Sequence, residues 1–186
     1  MKQILLMIAV VALVGCGKSS EAKAGAWVSD PNDPNNVKIE KAIRYELYSH
    51  TGELTKADLE KVTQLTFPES KLTDVKDLEK LTQLTELHLS DNQLTNANVK
   101  VLENLTQLEE LDLSDNQLTD VKGLENLTQL KDLDLSGNQL TSVKGLEKFT
   151  QLKYLWLTGN PDLTKAQIAE LQKALPKCLI HSNAKK

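Results

Sequence analysis

Carboxylates and hydroxyls recur at matching intervals in the middle of this 186-residue sequence, together with one imidazole. Intervals of 24 and 22 residues separate three groups: Glu86, His88 and Ser90, then Glu110, Asp112 and Ser114, then Asp132, Asp134 and Ser136. Serine hydroxyls are possible nucleophiles, and clustered carboxylates are possible ligands of a hard cation.

These residues do not predict catalysis. The sequence contains no nucleophile elbow, no phosphate-binding loop and no HExxH motif. The serines recur only because the surrounding pattern recurs, and the neighbour that they share is a carboxylate. We therefore expect a protein that is not an enzyme.

The carboxylates leave one question about metals open. Asp112 and Asp134 offer oxygen ligands to calcium or another hard cation, but the sequence has no calcium-loop motif. His88, near Glu86 and Asp112, would be half of a transition-metal site, with no second histidine or cysteine in reach. We expect His88 to be a surface residue and predict no cofactor and no metal, while the acidic pair leaves a bound cation open.

A repeated pattern of leucines positions these side chains. The template is L-x-x-L-x-L-x-x-N-x-L, and its copies begin at Val62, Leu84, Leu108, Leu130 and Leu152. Self-similarity at this period is the signature of a leucine-rich repeat solenoid. In Leu111-Asp112-Leu113 the period of two points both leucines inward and Asp112 outward, and Asn116 is expected to satisfy buried backbone groups. The pattern predicts an α/β fold, a right-handed horseshoe with a parallel concave sheet and helical caps at both ends.

The outward strand positions predict a binding surface on the concave face. Neighbouring strands lie about 4.8 Å apart, so carboxylates of adjacent coils become neighbours, with two aromatic side chains beside them. Aromatic residues supply contact area, and carboxylates attract a basic partner. The predicted partner-binding residues are Glu86, His88, Glu110, Asp112, Asp132, Asp134, Tyr154 and Trp156. The alternative is that these are solvated strand positions and that the aromatic residues cover the C-terminal cap.

In the last strand the template assigns Lys177, Leu179 and His181 to the outward positions, opposite Tyr154, Trp156 and Thr158. The same template places Cys178 inward, as a small apolar core residue.

Residues 1–15 indicate an export signal. A lysine followed by an apolar run too short to span a bilayer is typical of a secretory signal peptide. Leu13-Val14-Gly15-Cys16 resembles the lipobox of bacterial lipoproteins, whose cysteine is acylated and becomes the first mature residue. The resemblance implies a lipid anchor of several acyl chains at Cys16. It also implies location in the bacterial cell envelope, at the outer membrane of a Gram-negative host, either periplasmic or surface-exposed.

The rest of the chain divides into a tether, repeats and two caps. Residues 16–36 are small and polar and predict a lipidated, flexible tether, in which Trp27 either docks on the first helix or touches the membrane interface. Residues 37–61 predict a helical cap, with a helix over 37–48 and a capping box at Thr55. The repeats occupy 62–160, with a longer helical turn over 96–101. Residues 161–186 predict a cap helix starting after Thr164 and a final strand.

The 22-residue repeat, with its short convex segment LTDVKGLENLTQL, resembles the internalin-like class of bacterial leucine-rich repeat proteins. The entry region over 39–84 also resembles the cap that recurs in that class, so the resemblance covers about residues 37–183. Internalins bind host surface proteins on the concave face, and the resemblance therefore implies a protein partner there.

The net charge of the chain restricts the class of partner that the sequence predicts. The formal net charge is −4, and removal of Lys2 with the signal peptide changes it to −5, which argues against nucleic acid. We expect a monomer that binds a protein. Two alternatives stay open: an envelope scaffold without a specific ligand, and a carbohydrate-binding adhesin that uses the aromatic residues but tolerates charge reversal of the acidic rows.

Overall fold

The computed structural model describes residues 26–67 and 69–185. The predicted signal peptide, the predicted lipid-attachment residue Cys16 and Pro68 lie outside the described residues. Within the described ranges the strands form one open, parallel, six-stranded sheet, and helices and turns connect them. The α/β leucine-rich repeat fold that the pattern predicts is confirmed.

Each copy of the repeat contributes one three-residue strand. The strands are β1 (Gln64–Thr66), β2 (Glu86–His88), β3 (Glu110–Asp112), β4 (Asp132–Asp134), β5 (Tyr154–Trp156) and β6 (Leu179–His181). Every strand pairs in parallel with the next strand of the chain, so the order in the sheet is the order in the sequence. Leu87, Leu111 and Leu133 are aligned across β2, β3 and β4 and are buried.

The connections on the other side of the coils are short. They are 3-10 helices at Lys76–Lys80, Lys100–Asn104 and Leu146–Lys148, with α3 (Asn96–Val99) directly before the second of them. The coil that contains α3 is the one with two additional residues. The longer helical turn predicted over 96–101 is therefore confirmed, because the 22-residue coils have room only for a 3-10 helix or turns.

Leucine, valine and phenylalanine side chains fill the space between sheet and convex turns in one continuous core. Each coil buries its apolar side chains against the coils before and after it, so several coils are needed for stability.

A ladder of buried asparagines holds the turns that follow the strands. Its members are Asn92, Asn116, Asn138 and Asn160. The Asn116 Oδ1 atom accepts a hydrogen bond from the Leu94 backbone N–H at 3.0 Å, and its Nδ2 donates to the carbonyl oxygens of Leu89 at 2.9 Å and Leu113 at 3.2 Å. Each amide thus satisfies backbone groups of two coils that would otherwise be buried without partners.

The N-terminal cap begins earlier than predicted. Helix α1 is Pro34–Glu46 rather than 37–48, because the Asp33 carboxylate accepts hydrogen bonds from the backbone N–H groups of Asn35 and Asn36 and Pro34 occupies the first helical turn. Tyr48 has a positive φ of 51°, which ends the helix. Helix α2 (Lys56–Leu59) starts at the predicted capping box of Thr55.

Trp27 docks on the cap, which is one of the two alternatives from the sequence. It is 7% exposed, its backbone N–H donates to the Leu54 carbonyl at 3.1 Å, and its Nε1 donates to Glu40 at 3.2 Å. Asn36 is buried as well and donates to Asp77 at 2.8 Å. The packed part of the chain therefore includes residues 26–36, where a flexible tether was predicted.

The C-terminal cap confirms the predicted helix but not the predicted register. Helix α4 (Lys165–Ala174) follows the capping box between Thr164 and Gln167. Strand β6 pairs Leu179 with Tyr154 and His181 with Trp156, so the predicted alignment is wrong by two residues. The reason is the length of the helix, which delays the strand so that Cys178 comes directly before β6, where it is buried and its N–H donates to the Leu175 carbonyl.

None of the helices in the described ranges is long and apolar enough to cross a membrane.

The asparagine ladder gives a prediction for stability. Replacing Asn116→Ala removes the acceptor of one buried N–H and the donor of two buried carbonyl groups, and we expect a loss of about 3 kcal/mol in the free energy of unfolding, measured by urea titration. Gln117→Ala changes the exposed neighbour and is expected to stay within about 0.5 kcal/mol of wild type. Equal losses in the two variants would contradict the role of the amide.

Candidate functional site

The outward side chains of the six strands form one surface, which we call the open face. Its members are Gln64, Thr66, Glu86, His88, Glu110, Asp112, Asp132, Asp134, Tyr154, Trp156, Leu179 and His181. All eight residues predicted from the sequence lie on it in two adjacent rows. One row aligns Glu86, Glu110, Asp132 and Tyr154, and the other aligns His88, Asp112, Asp134 and Trp156.

The middle of the open face is an acidic depression of about 170 Å³. It is lined by His88, Glu110, Leu111, Asp112, Asp132, Asp134 and Trp156. His88 contributes the imidazole at one end: its Nε2 lies 3.5 Å from Glu110 Oε1 and its Nδ1 lies 4.0 Å from Asp112 Oδ2. Trp156 contributes the aromatic wall at the other end.

Local turns fix the two central carboxylates. Asp112 Oδ1 accepts hydrogen bonds from the backbone N–H of Ser114 at 2.8 Å and from its hydroxyl at 2.6 Å. Asp134 Oδ1 accepts one from the backbone N–H of Ser136 at 2.8 Å. The recurring serines thus orient carboxylates, and the second oxygen of each carboxylate has no hydrogen bond within the described residues.

Burial raises the pKa of Asp134 above its ordinary value, and the negative charges of Asp112 and Asp115 raise it further, while the hydrogen bonds from Ser136 act against both. Keeping this carboxylate ionised therefore costs free energy, and a positive charge placed in the depression would reduce that cost.

Three aromatic rings lie in a stacked row beside the acidic depression. The Tyr154 and Trp156 ring centroids are 5.8 Å apart with planes inclined by 20°, and those of Trp156 and His181 are 5.7 Å apart with planes inclined by 10°. We call these three residues the aromatic row. The repeat template places His181 opposite Thr158, and only the length of α4 could have indicated that it lies beside Trp156.

The described residues support neither a metal site nor a reactive thiol. No group of three or more histidine, cysteine, aspartate or glutamate side chains in these ranges is arranged to hold a metal ion. Cys178 is buried, as predicted, and burial together with the charge of Asp132 raises the pKa of its thiol. A buried thiol with a raised pKa is a poor nucleophile.

The raised pKa of Asp134 predicts a pH dependence of stability. The native state favours the protonated carboxyl of Asp134. Its contribution to the stability of the fold is therefore fully present below the unfolded-state pKa and is lost as the pH rises through the native pKa. Asp134→Asn, which retains the acceptor for Ser136, should therefore be more stable than wild type at neutral pH in thermal unfolding. The difference should disappear at a pH below the ordinary value of 3.8. A variant that is less stable at every pH would show that burial of this carboxylate does not oppose folding.

Comparisons with known proteins agree with this geometry. The leucine-rich repeat family profile matches residues 82–140, and a profile for two copies of the repeat matches residues 128–173. No curated protein matches the chain.

Solved structures share the fold. An internalin (inlF) from Listeria monocytogenes is 26% identical, with 82% of this chain and 47% of that chain covered and a TM-score of 0.71. A leucine-rich repeat protein of Leptospira interrogans is 31% identical, with 72% and 35% covered and a TM-score of 0.55. The plant peptide hormone receptor RGFR1, solved in complex with RGF2, is 24% identical, with 69% and 25% covered and a TM-score of 0.52.

This chain spans about half the length of the internalin and about a third of the Leptospira protein. What matches is the stack of coils and its parallel sheet. The chain therefore has the leucine-rich repeat fold and is similar to bacterial internalins.

Proposed function

We propose that this chain is a non-enzymatic binding module, anchored by lipid at Cys16 in the bacterial cell envelope, that holds a partner protein on its open face. The observation that carries the proposal is the aromatic row lying beside the acidic depression. Leucine-rich repeat domains generally mediate protein–protein interaction and are typically not enzymes. A receptor with this fold was solved with a bound peptide hormone.

The charges of the open face favour a basic segment of the partner. Five of its twelve residues are carboxylates, and none is lysine or arginine. Positive groups on the partner would enter the depression, while Tyr154 and Trp156 would bury their rings at the edge. Rings of this kind supply most of the energy at interfaces, and carboxylates chiefly accelerate encounter.

The anchor and the location rest on the sequence. The signal peptide at 1–15, the monomeric state and the envelope location stay predictions. Cys16→Ala should abolish incorporation of a labelled fatty acid in the native cell and release the protein from the membrane fraction. Lipid labelling that persists in this variant would disprove the anchor.

The partner and the face are tested together by photo-crosslinking in the native cell. A photoreactive amino acid at position 156 should yield one discrete adduct, and the same probe at position 144, on the convex side, should yield none. Equal smears at both positions would favour a scaffold without a specific ligand.

The aromatic row is expected to dominate affinity. Tyr154→Ala and Trp156→Ala should each weaken binding to the captured partner about 30-fold, as truncation of a buried interface ring does. Lys144→Ala is the matched control and should bind like wild type. Binding measured by calorimetry that is unchanged in all three variants would place the interface elsewhere.

Charge reversal in the acidic rows distinguishes a basic protein partner from a carbohydrate ligand. Asp112→Lys combined with Asp132→Lys should slow association with a basic partner and reverse its salt dependence. A carbohydrate ligand would tolerate this charge reversal while still losing affinity with Trp156→Ala, and that result would favour the adhesin alternative.

A further inference from the structure

The N-terminal cap carries an exposed apolar surface that the open face does not explain. Six large hydrophobic residues are exposed in the described part of the chain, and only Tyr154 and Leu179 belong to the open face. The other four lie on the cap: Val28 at 62% exposure, Val37 at 46%, Tyr45 at 78% and Tyr48 at 89%.

Two of these residues and one lysine lie on a single side of helix α1, and a third follows its end. Val37, Lys41 and Tyr45 are spaced by four residues along the helix, Tyr48 comes directly after its C-cap, and we call these four residues the cap stripe. The opposite side of the helix, with Ile39 and Ile43, is buried in the core. Shallow grooves of about 580 and 550 Å³ border the cap stripe, and Lys41 and Tyr45 line both.

We propose that the cap stripe lies against the lipid surface to which the chain is anchored. This inference rests on the proposed anchor at Cys16. Tyrosine is enriched where protein meets lipid headgroups, and lysine extends its apolar stem along such a surface while its ammonium group stays in water. Lys41 forms no ion pair within the described residues, so its charge is available to lipid phosphates.

Chain length places the cap stripe within reach of the bilayer. Trp27 is docked eleven positions after Cys16, and this length of chain spans at most about 40 Å when fully extended. The far edge of the sheet lies about 24 Å beyond the first strand, at about 4.8 Å per strand. Because the chain from the anchor enters the fold at Trp27, the cap is the part of the fold that follows the anchor most directly.

The cap stripe is small, with four residues against the twelve of the open face. A weak contact is sufficient for a chain that is already tethered, because tethering makes the second contact intramolecular. With the cap at the membrane, the aromatic row near the opposite edge of the sheet stays accessible to a partner.

The test is performed on the lipidated protein in vesicles of phosphatidylcholine and phosphatidylglycerol that contain a nitroxide-headgroup lipid. An environment-sensitive fluorophore is attached at Thr51→Cys, beside the cap stripe, or at Lys173→Cys on α4, each in a Cys178→Ala background. The variant is Tyr45→Gln with Tyr48→Asn, which suits a helical position and a left-handed one respectively. Lys144→Gln, an exposed residue on the convex side, is the control.

We expect the nitroxide to quench the probe at 51 and not the probe at 173. The double variant should lose most of the quenching at 51, while vesicle flotation and thermal unfolding stay as in wild type, and Lys144→Gln should change none of these. Quenching at 51 that is absent, or that survives the double substitution, would overturn this inference alone.

Two other outcomes are distinguishable. Failure of the wild-type protein to float, with no acyl mass on Cys16, would remove the anchor of the proposed function and this inference with it. A concentration-dependent dimer seen by light scattering and lost in the double variant would assign the cap stripe to a second copy of the chain, which also overturns it.

Discussion

The structure depends on one constraint. Where each coil turns after its strand, backbone N–H and carbonyl groups are buried inside the protein and need hydrogen-bond partners. Only a side chain with both a donor and an acceptor satisfies the N–H of one coil and the carbonyl groups of the next. Asn116 does this between the carbonyl of Leu113 and the N–H of Leu94. Because the amide must reach both coils, its distance from the preceding strand is fixed, and so is the alignment of the strands. The open face inherits that alignment.

Packing does not require acidic residues at the outward positions. The same positions hold Gln64 and Thr66 in the first strand and Leu179 and His181 in the last, with the sheet continuing through all of them. The carboxylates of the central strands repel one another, which favours their protonated forms. Burial acts in the same direction and raises the pKa of Asp134. Their concentration therefore opposes folding slightly, which is a reason to connect it with recognition.

Much of the fold and of the candidate site follows from spacing, since a period of two within strands and of 22 or 24 between them assigns every outward residue in the central coils. Spacing fails where a cap replaces a coil. The ten residues of α4 delay the last strand by two positions, and this delay brings His181 instead of Leu179 beside Trp156.

At the other end, Asp33 and Pro34 start α1 three residues early through a cap that lies outside the apolar pattern. The polarity of residues 26–36 gave no sign that Asn36 is packed, whereas docking of Trp27 was one of the two alternatives that the sequence left open. Their partners, Asp77, Glu40 and Leu54, are 13 to 41 residues away in the chain.

The docking of Trp27 also decides how the fold carries mechanical load. A pull applied through the residues before 26 enters the folded part at Trp27, which is held by one backbone bond to Leu54, one indole bond to Glu40 and the ammonium of Lys80 at 4.9 Å from its ring. These few contacts can break one after another under load, whereas the parallel strands that follow distribute the force over several hydrogen bonds. Tension from that side would therefore loosen the cap first and leave the sheet and its aromatic row intact.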